Sequence, residues 1–88
     1  MSGEDKELVR HAVLECLVTR HPVALPAAGI ARRIRTEVDV EFGAEDVAGA
    51  LAVLEGLGLV KRQVDELGSS EWWSATAQGV LKQERGNR

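Results

Sequence analysis

Gly58-Leu59-Val60-Lys61-Arg62-Gln63-Val64-Asp65, followed by Glu66-Leu67-Gly68-Ser69-Ser70 and then by Glu71-Trp72-Trp73-Ser74-Ala75-Thr76-Ala77-Gln78-Gly79, is the stretch that decides the fold of this 88-residue chain. Residues 59–65 and 71–74 are strand candidates, the first with Val60 and Val64 and the second with Trp72 and Trp73, and the five residues between them are turn-forming, which predicts a β-hairpin. Thr76 stands where a hydroxyl can cap the first turn of a following helix, over Ala77, Val80 and Leu81. Polar residues from Gly86 onward predict a short frayed tail over 86–88.

Upstream, the periodicity is helical. Val47, Ala50, Leu51 and Leu54 form one stripe, opened by Gly43-Ala44-Glu45-Asp46 with carboxylates where the helix dipole favours them, and closed by Gly56 and Gly58. Before it, Val38, Val40 and Phe42 alternate with Asp39 and Glu41, the period of a half-buried strand, so a short strand is expected over 38–42. Pro26 suits the first position of a helix whose Ala27, Ile30, Ala31 and Ile34 share a face. The first helix carries Leu8, Val9, Ala12, Val13, Cys16 and Leu17 on one side, is introduced by a Ser2-x-x-Asp5 capping pattern, and stops near Arg20, because Pro22 forces His21 out of the helical region.

This order, helix, helix, short strand, helix, hairpin, helix, resembles the winged helix-turn-helix family over nearly the whole chain. Leu25 with Ile30-Ala31 and Ile34 is similar to the second helix of that family, and Val47, Leu51 and Leu54 running into Gly58-Leu59-Val60 to its third helix entering the wing. Trp73 to Gly79 is similar to the aromatic-x-x-Thr-x-x-Gly closing signature of many bacterial members. The resemblance implies a mainly α fold with a small β-sheet (α-α-β-α-β-β-α), one domain over 1–88, and binding of DNA through the third helix with the wing on the backbone. The fold also serves as a protein-interaction module.

Charge argues against the usual third-helix reading. The net charge is −3, yet residues 1–35 carry six Lys/Arg against four Asp/Glu and residues 36–88 carry five against ten. Between residues 36 and 57 there are six carboxylates and no Lys or Arg. A helix face without cations adds nothing to phosphate neutralisation, the source of most sequence-independent affinity. DNA contact is therefore expected from Arg32, Arg33 and Arg35 on the second helix and from Lys61 and Arg62 at the start of the wing; a merely solvated helix face is the alternative explanation of those charges.

Ala48, Gly49, Ala52 and Gly56 leave a shallow outward groove on the third helix, which reads either as a contact surface for a protein partner or a second copy, or as simple helix propensity. Adjacent strand residues point to opposite faces, so Trp72 and Trp73 cannot share a core. Trp73 is expected inside, and Trp72 is either a cover for the wing or an exposed anchor.

No enzyme is expected. His11 and Glu15 sit one turn apart without a recognisable third ligand or nucleophile, and no glycine-rich phosphate loop is present. Neither cofactor nor metal nor small-molecule substrate is implied. The single Cys16 has no disulfide partner, the opening Met1-Ser2-Gly3-Glu4-Asp5 is acidic, and no apolar run is long enough for a membrane span, which together suggest a cytoplasmic protein without a membrane partner.

Overall fold

The computed structural model describes residues 3–68 and 70–86. Its elements are α1 (Gly3–Arg20), α2 (Ala27–Ile34), α3 (Ala44–Gly56), β1 (Val60–Val64), β2 (Glu71–Ala75) and α4 (Ala77–Gly86). The architecture is that of a mainly helical winged helix-turn-helix domain. Helix α1 is the pillar: it packs against α2, α3, α4 and β2. Its Val9, Val13 and Leu17, spaced four apart, are at most 1% exposed and meet Ile30 and Ile34 of α2 and Val47, Leu51 and Leu54 of α3.

Two positions on α1 differ from the amphipathic expectation. Leu8 is 52% exposed, whereas Leu14 is buried. The helix has a second contact on that side, because α4 returns to cover Leu14, an event that α1's own periodicity does not encode. On α4 the exchange is similar: Leu81 is exposed and Gln83 is buried. Gly86 is the last residue of α4 rather than part of a frayed tail; Asn87 and Arg88, and Ser2 of the proposed cap, lie outside the described residues.

The expected strand over Val38–Phe42 is not formed. The alternation is real, since Val38, Val40 and Phe42 pack partly buried against the core while Asp39 and Glu41 are exposed. A period of two reports one buried face, however, and needs no ladder to exist. The place beside β2 is taken by Leu25, whose N–H donates to the Trp73 carbonyl and whose carbonyl accepts from the Trp73 N–H, both at 2.8 Å. Pro26, immediately after, caps α2 in an extended conformation (φ −72°, ψ 155°) rather than occupying its first turn.

The hairpin pairs β1 and β2 antiparallel in the register Val60↔Ala75, Lys61↔Ser74, Arg62↔Trp73, Gln63↔Trp72 and Val64↔Glu71. Trp73, 7% exposed, enters the core and Trp72 stands on the opposite face. At the other end of β1, α3 closes with a left-handed glycine: Gly58 has φ +77°, its N–H reaches the Glu55 carbonyl, and the Leu59 N–H reaches the Leu54 carbonyl, both at 3.0 Å. That double return satisfies the last carbonyls of α3 and turns the chain into the strand.

Helix α4 is locked onto the same corner. Thr76 Oγ1 accepts from the Gly79 N–H at 3.1 Å, capping the helix, and donates to the Gly58 carbonyl at 2.7 Å. Its N–H donates to the Leu59 carbonyl at 3.0 Å. Gly79 lies so close to Leu59 that a side chain there would run into the Leu59 carbonyl oxygen, with Leu14 Cδ1 next behind it. The Thr-x-x-Gly spacing is thus a packing requirement. Gly79→Ala is expected to destabilise the domain by about 2 kcal/mol through overpacking, a fall of roughly 10 °C in Tm at this size. Gly49→Ala, where a Cβ would meet open space, should raise the Tm slightly. Circular dichroism melts of the two variants test the contrast; a neutral Gly79→Ala would refute the close approach.

Candidate nucleic-acid interface

The second helix is short: Ile30 and Ile34 are fully buried, Ala27 and Ala31 pack partly buried beside them, and Ala28, Arg32 and Arg33 are exposed. Arg32 falls on the side of the helix opposite Ile30 and Ile34. Arg33 and Arg35 diverge from it on opposite flanks: Arg33 lines a groove with Cys16, Thr19, Arg20 and Glu37, and Arg35 stands beside Val40, Glu41 and Phe42. All three are exposed. Part of their presence is local physics, because cations in the last turn of a helix complement its dipole.

The groove adds a residue that no sequence pattern singled out. Arg20 ends α1, thirteen positions before Arg33, and reaches the same concavity only because α1 and α2 pack together. The nearest signal in the sequence was a basic residue at a helix C-terminus, which is common and unspecific. Cys16 registers both arginines. Burial, the largest effect, pushes its thiol above the ordinary value; the Arg33 guanidinium opposes this, the Glu37 carboxylate adds to it, and Arg20 again opposes it.

The wing does not assemble the patch expected of it. Lys61 and Arg62 are neighbours on a strand and therefore lie on opposite faces, Lys61 with Ser74 and Arg62 with Trp73. Arg62 is also engaged: its Nη1 is 3.3 Å from Glu71 Oε1 in a diagonal cross-strand pair. Both partners are about half exposed, so the pair contributes little to stability, but it places a carboxylate beside the cation that a phosphate would need. Lys61 is exposed, outside any ion pair among the described residues. Trp72 shares its face with Lys61 and Gln63 and is 40% exposed.

Helix α3 presents Glu45, Ala48, Gly49, Ala52, Glu55 and Gly56 to solvent and carries no Lys or Arg. One of its carboxylates serves the helix itself, since Asp46 Oδ2 accepts from the Gly43 N–H at 2.8 Å and closes the first turn. Elsewhere, His11 Nε2 is 3.6 Å from Glu15 on the exposed side of α1, with side chains 61% and 50% accessible, an arrangement typical of a surface pair. No described helix is long and apolar enough to cross a membrane.

No protein-family model matches this sequence, and the curated proteins contain no match to it. Solved structures do match. The ZitR C30AH42A mutant of Lactococcus lactis in apo form is 20% identical, with a TM-score of 0.72 over 96% of this chain and 58% of that one. A PadR family transcription regulator from Clostridium difficile R20291 is 16% identical, with a TM-score of 0.74 over 90% of this chain and 82% of the other. The S. aureus MepR–DNA complex gives 19% identity and a TM-score of 0.73, over 96% of this chain and 68% of MepR. The likeness shows that the chain has the winged helix-turn-helix fold, while the chain spans about half the length of the ZitR chains it matches.

The charge arrangement of the groove has a chemical readout. At pH 8 Cys16 should react with iodoacetamide more slowly than an unstructured peptide thiol, because burial lowers its thiolate fraction. Arg33→Ala should slow it further, since the opposing cation is gone. Labelling rates followed by mass spectrometry across pH check both; a faster reaction in Arg33→Ala would mean that Arg33 does not face the thiol.

Proposed function

We propose that this domain binds duplex DNA as a small transcriptional regulator or accessory factor, with α2 and the wing, rather than α3, supplying the contacts to the phosphates. The observation that carries this reading is the exposed Arg32 and Arg33 on α2 with Arg35 at its C-terminal cap, in a fold shared with S. aureus MepR, which is solved on DNA. Arg20 extends that cationic edge across the α1–α2 groove, and Lys61 is a separate exposed cation on the wing. Arg62 contributes less than its position in the sequence suggests, because Glu71 already neutralises it. The reading is of a single binding domain acting in the cytoplasm, not of an enzyme.

The mechanism is electrostatic. Each arginine or lysine that meets a phosphate releases a condensed counterion, so about four contacts give a salt slope of roughly −3.6 and a loss of about a hundredfold in affinity between ~50 and ~200 mM salt. With acidic residues on the outward face of α3, sequence preference must rest on few base contacts and on duplex shape. Fluorescence anisotropy with a generic duplex tests this. Binding is expected at low salt; the double variant Arg32→Ala/Arg33→Ala should flatten the slope by about two units and Lys61→Ala by about one, while Arg62→Ala should leave it nearly unchanged. Absence of binding at low salt would overturn the proposal.

A further inference from the structure

Helix α4 packs back on α1 and leaves a groove of about 750 Å³ beside that contact, floored by Leu14 and by Leu59 of the α3–β1 corner. Leu81 lines its α4 side and is 51% exposed, so the groove is apolar from its floor to its lip. Gln83 lines it too. This residue is only 6% exposed, and its side chain has no hydrogen-bond partner among the described residues. Amides this deeply buried are normally paired, because an unpaired one loses its water without compensation. The Ser74 hydroxyl is also without a partner, but it is fully enclosed. The Gln83 amide can be reached from the groove.

The fixed charges lining the groove have one sign. Lys82 and Arg85 stand on it from α4, both exposed and neither in an ion pair among the described residues. No described Asp or Glu lines it. On α1, the carboxylates one turn to either side of His11 are engaged, Glu7 with Arg10 at 4.0 Å and Glu15 with His11 at 3.6 Å. Glu4 and Asp5 lie about two turns before His11. On α4, Glu84 is two positions from Lys82 and falls on the other side of the helix.

We propose that this groove docks an acidic, apolar segment of another protein. Its aliphatic side chains enter over Leu14, Leu59 and Leu81, its carboxylates meet Lys82 and Arg85, and one of its peptide groups pairs with Gln83. A glutamine amide offers donor and acceptor side by side, and a peptide group supplies the matching acceptor and donor. A nucleic-acid backbone fits less well, since phosphate accepts hydrogen bonds without donating them and brings nothing to an apolar floor. An apolar face laid into a groove is a recurring way of holding a partner's segment. The groove shares no residue with the arginines and lysine assigned above to DNA, so the docking does not rest on the DNA reading; where both hold, the domain carries the acidic partner to the duplex.

Selection from a phage-displayed library of random peptides on the full chain provides the test. The selected peptides should combine Asp or Glu with leucine-like residues, and in NMR spectra of the labelled protein they should shift the signals of α1, α4 and the Gln83 side-chain amide. Lys82→Glu/Arg85→Glu should weaken a selected peptide about tenfold or more, and Arg32→Ala/Arg33→Ala should leave it unchanged. Gln83→Met nearly keeps the volume and removes the amide, so it should raise the Tm of the free domain while weakening the peptide several-fold; a merely structural glutamine would give neither. Selection of basic peptides or of none, shifts that map elsewhere, equal losses in the two double variants, or a Gln83→Met with lowered Tm and unaltered binding would each overturn the proposal. So would displacement of the peptide by dodecanoate, whose carboxylate and apolar chain lack a peptide group, since the groove would then belong to a small amphiphile. A duplex that fails to bind would refute the DNA reading alone, while the peptide results would still decide the docking.

Discussion

Everything in this domain converges on the corner at Gly58 and Leu59, where α3 ends, β1 begins and α4 lands. Thr76 holds the corner with one hydroxyl that both caps α4 and donates to Gly58. The bare Cα of Gly79 lets the helix settle against the Leu59 backbone. With only 88 residues there is little apolar surface to bury, so the angle between α4, the hairpin and α3 is set by a few directed backbone contacts. Moving this corner would uncover Leu14 on α1 and tilt the hairpin away from α2.

The hairpin in turn depends on Trp73. Its side chain fills the core, and its backbone groups are shared with Leu25, which ties the α1–α2 connection to the sheet. That bridge sets where α2 starts and hence where its arginines project. The cationic surface is thus positioned by an aromatic residue distant in sequence. It is also asymmetric: a basic edge on α1 and α2, an acidic α3, and a wing whose two cations lie on opposite faces with one of them paired. In a fold whose third helix commonly enters the major groove, such a distribution leaves that helix without a cation of its own.

How far the sequence could be read follows from the range of each signal. Local signals succeeded: the stripe on α3, the glycine stop, the hairpin turn, the Thr76 cap and the opposite orientation of Trp72 and Trp73 are properties of residues a few positions apart. The strand over 38–42 failed because alternation encodes burial, whereas a strand needs a partner, and the partner position beside β2 belongs to Leu25. Leu8 and Leu14 exchanged roles because α4 approaches α1 from a side that an isolated helix cannot specify. Lys61 and Arg62 were grouped although the rule that separated the tryptophans separates them too.

The sequence by itself determined the type and order of the elements, the winged-helix architecture they compose, and the absence of cations on α3, since each is carried by composition and short-range spacing. Only the tertiary structure decided which charges act together. Arg20 joined Arg33 across a helix–helix groove, Arg35 came to stand beside Glu41, and Arg62 was paired with Glu71. The physical reason is that Coulomb interactions depend on distance in space and on exposure, and both are settled by how the helices pack.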